Sequence, residues 1–433
     1  MLHRLVPTTP ATRRGGELFL ALAVFAVIVQ LPGNVIVSLV LPPIALLING
    51  IQAVGRRGEW CVWLWTLLTL IPATIAVIRW DLLMERPYLL QVIAVTLAAV
   101  VTLRGSQGTD GARALMQGMY AGFAALALIG VAEVITGFKL LFLRYPDSVV
   151  ASWAAADRLI TTAMYPNYND FSVALVLLGL FLGARFLAKP GRLAVQVGRL
   201  AAIGLLGSWI FYMGSRGALF GLLAGLVVLA LLSERKRDIT ALPAWFITTC
   251  GCVVVVAATV LSQSSLVRDG DTRERGRILG RLWRLGETDP LRFLVGFGSS
   301  DEVTDASLRH LQGALVNPHN MVAETWMWAG IFGLIGFGVV WLYIARRAFR
   351  NETGRSWYAL TAVAATLVMP LLGVTPSVIL HYLFPQLLMI AAVATFEEAP
   401  SGAALPAGVE DHHRQHPRNT SQGNRNDQAR QLP

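Results

Sequence analysis

"MVAETWMWAGIFGLIGFGVVWLYIA", residues 321–345, runs for 25 residues with a single charged side chain, Glu324. As a helix rising 1.5 Å per residue it would reach about 37 Å, more than the ~30 Å of a hydrocarbon core. A polar "NPHN" (317–320) leads into it and "RR" (346–347) ends it. The block reads as a membrane-crossing helix with a polar approach on one side and a basic exit on the other.

Blocks of this kind recur along the whole chain. Spans are expected near residues 17–31, 34–51, 60–78, 88–103, 115–137, 171–188, 198–213, 217–233, 243–262, 321–345, 357–374 and 378–396. The 433 residues are 55% hydrophobic and 14% charged, and the apolar residues are gathered rather than scattered. The expected fold is an all-α polytopic integral membrane protein of about twelve transmembrane helices, with a large outer loop between the ninth and tenth. The first block follows Arg13 and Arg14, but a second apolar block comes at once and no small-residue cleavage site separates them, so it reads as a retained span.

Orientation follows from lysine and arginine. With the N-terminus inside, the segments left in the cytoplasm hold Arg13 and Arg14, Arg56 and Arg57, Arg104 and Arg113, Lys189 and Arg192, Arg235 to Arg237, and Arg346, Arg347 and Arg350. Every short inside loop is then basic. The organisation expected is a cytoplasmic N-terminus (1–16), a transmembrane body (17–396) with outer loops at 138–170 and 263–319, and a disordered cytoplasmic tail (397–433). The tail is rich in Pro, Gly, Asn, Gln and Arg without hydrophobic period. The location implied is the plasma (inner) membrane, with both termini cytoplasmic. The net charge of +10 is mostly this topology signal. No basic, aromatic-interleaved face suggests a nucleic-acid partner. Cys61, Cys250 and Cys252 all lie in spans and match no disulfide or zinc spacing.

The loop 263–319 departs from the charge rule. It carries eight arginines, Arg268, Arg273, Arg275, Arg277, Arg281, Arg284, Arg292 and Arg309, against eight acidic residues. Most can be accounted for as a solvated mixed-charge surface. One or two suit an anionic ligand, because guanidinium forks hold diphosphates in bidentate fashion. "DGD" (269–271) reads as a turn, and "HHRQH" in the tail as solvated chain rather than a metal site. No metal or cofactor is called for.

Four short patterns converge on the outer face: "YPNYND" (165–170) before the sixth span, "MGSRGALFG" (213–221) between the seventh and eighth, "GFGS" (296–299) late in the large loop, and "NPHN" (317–320). In this order, over roughly residues 160–345, the chain resembles the O-antigen ligase and O-antigen polymerase family of bacterial cell-surface glycan enzymes. Teichuronic-acid-type pathway members belong with them. The resemblance implies transfer of a glycan from a polyprenyl-diphosphate carrier in the outer leaflet to an acceptor glycan, lipid or cell-wall component. Arg216 matches the arginine of the family's Ser-Arg-Gly hairpin, His319 its histidine before Asn320, and Glu324 the acidic residue one turn further in. For the arginine early in the large loop, Arg275 fits best by spacing from Pro290, with Arg277 close behind and Arg273 also competing. "YPNYND" differs from the commoner Asn-Pro-Asn-Asp by one tyrosine, which bears on Asn169 and Asp170.

The chemistry of the residues agrees with this. A sugar on a diphosphate has a good leaving group, so transfer needs a base for the acceptor hydroxyl and cations for the departing charge. His319 can be that base near neutral pH, with Glu324 beside it, and Arg216 with Arg275 or Arg277 the cations. A helix-capping role for His319 and interfacial snorkelling for Arg216 are the plain alternatives. Glu324 and, with less support, Glu133 are intramembrane carboxylates that need partners. A rival of another class is a transporter or flippase of lipid-linked sugars, for which paired broken helices in repeated halves would be the sign. No internal repeat is present.

Overall fold

The computed structural model describes residues 10–31, 34–49, 58–79, 82–104, 109–140, 157–165, 167–188, 192–234, 283–284, 287–297, 321–350, 352–354, 356–372 and 383–396. Its helices are α1 Pro10–Ile28, α2 Asn34–Asn49, α3 Glu59–Arg79, α4 Leu82–Arg104, α5 Thr109–Thr136, α6 Tyr168–Ala188, α7 Leu193–Tyr212, α8 Arg216–Glu234, α9 Pro290–Val295, α10 Met321–Phe349, α11 Trp357–Leu372 and α12 Phe384–Thr395. Among the described residues there is no strand, only one isolated bridge between Thr353 and Phe396. α5, α6, α7, α8 and α10 each hold a stretch long and apolar enough to cross a membrane, and α1 to α4, α11 and α12 hold shorter apolar stretches. The protein is thus a helical membrane protein. The expected ninth span, 243–262, the early part of the large loop and the tail lie outside the described residues.

In a bilayer, apolar surface alone does not drive helices together, so close approach through small residues matters. A Cβ on Gly118 of α5 would lie 2.4 Å from the carbonyl oxygen of Ala21 in α1. One on Gly225 of α8 would lie 2.5 Å from Leu180 of α6, and one on Gly336 of α10 2.9 Å from the Trp65 ring of α3. α6 and α12 form the centre, with Phe171, Phe181 and Phe384 fully buried and Phe123 of α5 in ring contact with both Phe181 and Phe384. α7 is the opposite case. It buries only Leu206 and Ile210, and turns Leu193, Val195, Val197, Leu200, Leu205 and Phe211 outward.

Charged and aromatic side chains tie one end of the molecule together. Buried Glu59 pairs with Arg104 and accepts from Trp63 Nε1 at 2.5 Å. The Arg185 guanidinium sits 4.0 Å from the Tyr120 ring centre and 4.5 Å from that of Trp357. Arg199 donates to the Arg185 carbonyl at 2.9 Å, and Arg347 pairs with Glu352. The starts of α3, α7 and α11 and the ends of α4, α6 and α10 therefore share this end.

The expected span 321–345 falls within α10, where Gly330, with φ 62° and ψ −163°, interrupts the helix after two and a half turns.

Candidate functional site

At the opposite end, α7 stops in a turn that orients Arg216. Gly214 adopts φ 74°, its N–H donates to the Phe211 carbonyl at 3.0 Å, and the Ser215 N–H reaches the Ile210 carbonyl at 3.3 Å. This is the Schellman pattern, in which a left-handed glycine satisfies the last carbonyls of a helix. Arg216 follows as the first residue of α8, with its side chain exposed. Ser215 Oγ is buried and has no hydrogen-bond partner among the described residues.

Asn169 and Asp170 open α6. The Asn169 N–H donates to Asn167 Oδ1 at 2.8 Å, an Asx turn that starts the helix. Asp170 is 1% exposed in the first turn, where the helix dipole favours a carboxylate. It lies close enough to Tyr165 to help burial push that phenol well above its ordinary range. Tyr165 Oη in turn donates to the Ile28 carbonyl at 3.2 Å, linking this segment to α1.

Glu324 is 2% exposed in the first turn of α10. Two turns later comes the break, and the large loop packs into it. Asp289 caps α9 by accepting from the Arg292 N–H at 3.1 Å, with Pro290 next in line. α9 ends at Gly296, φ 80°, and the Phe297 N–H donates to the Met327 carbonyl at 2.6 Å, satisfying a group that the break sets free. A Cβ on Gly296 would fall 2.5 Å from the Trp328 carbonyl, and one on Gly330 2.2 Å from that of Leu294. The two backbones touch. Trp283, Phe293 and Trp326 pack edge to face around the same junction, at 5.3–6.2 Å between centres.

Beside the break lies a cavity of about 60 Å³ between α3, α4, α10 and α12. Its walls include Trp65, Thr66, Gln91, Trp328, Phe337 and Gln386, and among the described residues no charged side chain lines it.

Two buried ionisable groups hold the segment 157–165 in place. Glu133, near the end of α5, accepts through Oε1 from the Leu140 N–H at 2.8 Å. Its Oε2 accepts from the N–H groups of Thr162 at 3.3 Å and Ala163 at 3.1 Å. Lys139 Nζ donates to the carbonyls of Arg158 at 2.9 Å and Ile160 at 2.8 Å. Both side chains are buried, and burial holds the Lys139 ammonium below the usual lysine range despite the attraction of Glu133 and Asp157. α7 adds two bonds, from Trp209 Nε1 to the Leu159 carbonyl at 3.1 Å and from Tyr212 Oη to Asp157 at 2.9 Å. Sequence reasoning singled out Glu133 but passed over Lys139. A lone lysine on an outer connection was the available signal.

Of the expected site residues, Arg216, Asn169, Asp170 and Glu324 are described, whereas His319, Asn320, Arg275 and Arg277 lie outside the described residues. Arg216, Asn169 and Asp170 sit on paired helices α6 and α8. α11 packs against both α8 and α10, the helix that carries Glu324. Among the described residues no group of three or more His, Cys, Asp or Glu could hold a metal. Compared with known proteins, the chain matches no family model and no curated sequence.

Proposed function

We propose that this chain is a membrane glycosyltransferase that moves a glycan from a polyprenyl-diphosphate carrier to an acceptor on the outer face of the plasma membrane, in the manner of O-antigen ligases. The observation that carries the reading is Arg216. An exposed guanidinium on a glycine-capped hairpin, at the end of the molecule opposite the Arg104, Arg185 and Arg347 cluster, is where a diphosphate in the outer leaflet would be met. In this reading twelve spans cross the bilayer, both termini are cytoplasmic, loops 138–170 and 263–319 lie outside, His319 is the base and Arg275 or Arg277 completes the diphosphate grip. A polymerase joining lipid-linked repeat units would use the same groups.

A test of the reaction is transfer from purified polyprenyl-diphosphate glycan to acceptor by the reconstituted full chain. Sugar that crosses the vesicle membrane still attached to its carrier would instead identify a transporter. The break in α10 favours that second reading, since interrupted membrane helices line substrate sites in transporters.

Two predictions belong here. Cysteines placed at 145 and 270 should be labelled by an impermeant reagent from outside and one at 405 only after permeabilisation. Labelling of 270 from the cytoplasm alone would end the mechanism. Arg216→Lys should lower transfer by about tenfold or more at matched protein level, because a point charge loses the fork that grips two phosphate oxygens. Wild-type activity in this variant would leave Arg216 as a snorkelling side chain.

A further inference from the structure

The hydrogen bonds of Glu133 and Lys139 are arranged in an unusual way. Residues 157–165 form no helix, yet the N–H groups of Thr162 and Ala163 and the carbonyls of Arg158 and Ile160 all end on these two side chains. An irregular segment normally satisfies such groups with water. Here a carboxylate supplies both of its oxygens and an ammonium supplies two of its protons, each from within or just beyond α5. Both side chains are at most 2% exposed and Thr162 and Ala163 are fully buried, so loss of the Glu133 acceptors would leave those two amides unpaired away from water. Gly137, φ 73°, reverses the chain between them and brings Lys139 back over the helix end.

We propose that Glu133 and Lys139 form a two-sided lock that fixes residues 157–165 across the outer end of α5, and that they are thereby positioning residues for the start of α6. The segment leads directly into Asn167, Asn169 and Asp170, and its Tyr165 is bonded to α1. Holding it fixes where α6 begins relative to α5 and α7. The lock stands on geometry alone, whereas its effect on transfer rests on the glycosyltransferase reading above.

The chemistry predicts which substitutions break it. Glu133→Gln cannot substitute, because its amide nitrogen would face a backbone N–H on one side or the other. Lys139→Met keeps the length and loses both donors. Lys139→Arg keeps donors on a long cationic stem and should restore the lock.

Arg158 supplies a direct readout, since it is an exposed arginine whose carbonyl is one of the two that Lys139 holds. In the purified full-length protein, trypsin should cut after Arg158 at least tenfold faster in Lys139→Met and Glu133→Gln than in wild type or Lys139→Arg, with the fragment identified by mass. In the unmodified protein the Thr162 and Ala163 amides should exchange with deuterium at least 100-fold more slowly than unprotected amides. That second measurement needs no variant, so a substitution that fails to fold does not rescue the idea. Equal cleavage in all four proteins, or free exchange at both amides, overturns the lock. Faster cleavage with kcat/KM for transfer unchanged overturns the positioning role, for which the expectation is about a tenfold loss in Lys139→Met that Lys139→Arg recovers. Absence of transfer in the wild type would count against the proposed function alone, leaving the protease and exchange results to decide the lock.

Discussion

His319→Ala should lower single-turnover transfer by roughly 10²–10⁴-fold, the range lost with a general base, while the protein stays inserted and still binds the lipid-linked donor. The expectation follows from depth as well as chemistry. His319 precedes the first residue of α10 by two positions, and the buried carboxylate of Glu324 lies in the first turn of that helix. In the proposed reaction a hydroxyl arriving from water would meet a carrier diphosphate at the boundary where the sequence turns from polar to apolar. An unperturbed imidazole titrates near neutral pH, which is why the proposal gives it this proton. Transfer and donor binding are measured side by side on the reconstituted protein. Undiminished transfer would reduce His319 to a capping residue. Lost binding with unchanged chemistry would make it a diphosphate ligand.

The second large effect is expected at Gly330. Its φ of 62° with ψ of −163° lies in a region open essentially to glycine alone, and any Cβ would strike the Leu294 carbonyl and the Val295 nitrogen. Backbone strain alone costs about 1–3 kcal/mol, and the collision requires α9 to leave its seat as well. Gly330→Val should therefore lower the thermal unfolding midpoint of the purified protein by several degrees, and Gly296→Ala, which meets the Trp328 carbonyl, should do likewise. Gly338→Ala in the same helix is the control. Nothing lies within 4 Å of its Cβ position, so alanine there should be neutral or stabilise by up to ~1 kcal/mol. Midpoints that fall equally in all three would show that α10 merely resists substitution.

The helices were legible because a bilayer demands long apolar blocks, and eleven of the twelve expected spans coincide with described helices. The break was not legible. "WAGIFGLIGFG" offers Gly330, Gly333, Gly336 and Gly338 in one small-residue-rich run, and nothing local distinguishes the one that leaves the helix. Only the backbone of residues 294–297, more than thirty positions upstream, singles out Gly330. In the large loop the described charges of Arg284 and Glu287 are exposed, while Phe293 and Phe297 anchor its end against α10, a contact no local pattern announced. At the site, Arg216 was readable from the hairpin glycine beside it. Asp170, read as a candidate at the outer face, is buried, and Tyr165, near enough to feel its charge, is bonded to α1, a long-range contact that no local pattern announces.

The sparse burial of α7 has a mechanical consequence. This helix packs on α6 and is bonded by Trp209 and Tyr212 near its end and by Arg199 two turns after its start, while its flank of Leu, Val and Phe faces outward. Twenty residues make a rod of about 30 Å, just the thickness of an ordinary hydrocarbon layer. A thicker membrane cannot stretch the rod, so it must thin around α7, and a thinner one tips it over. Either strain passes first to the tips, where the bonds to Asp157 and Leu159 end. Acyl-chain length would thus reach residues 157–159 through the Trp209 and Tyr212 bonds.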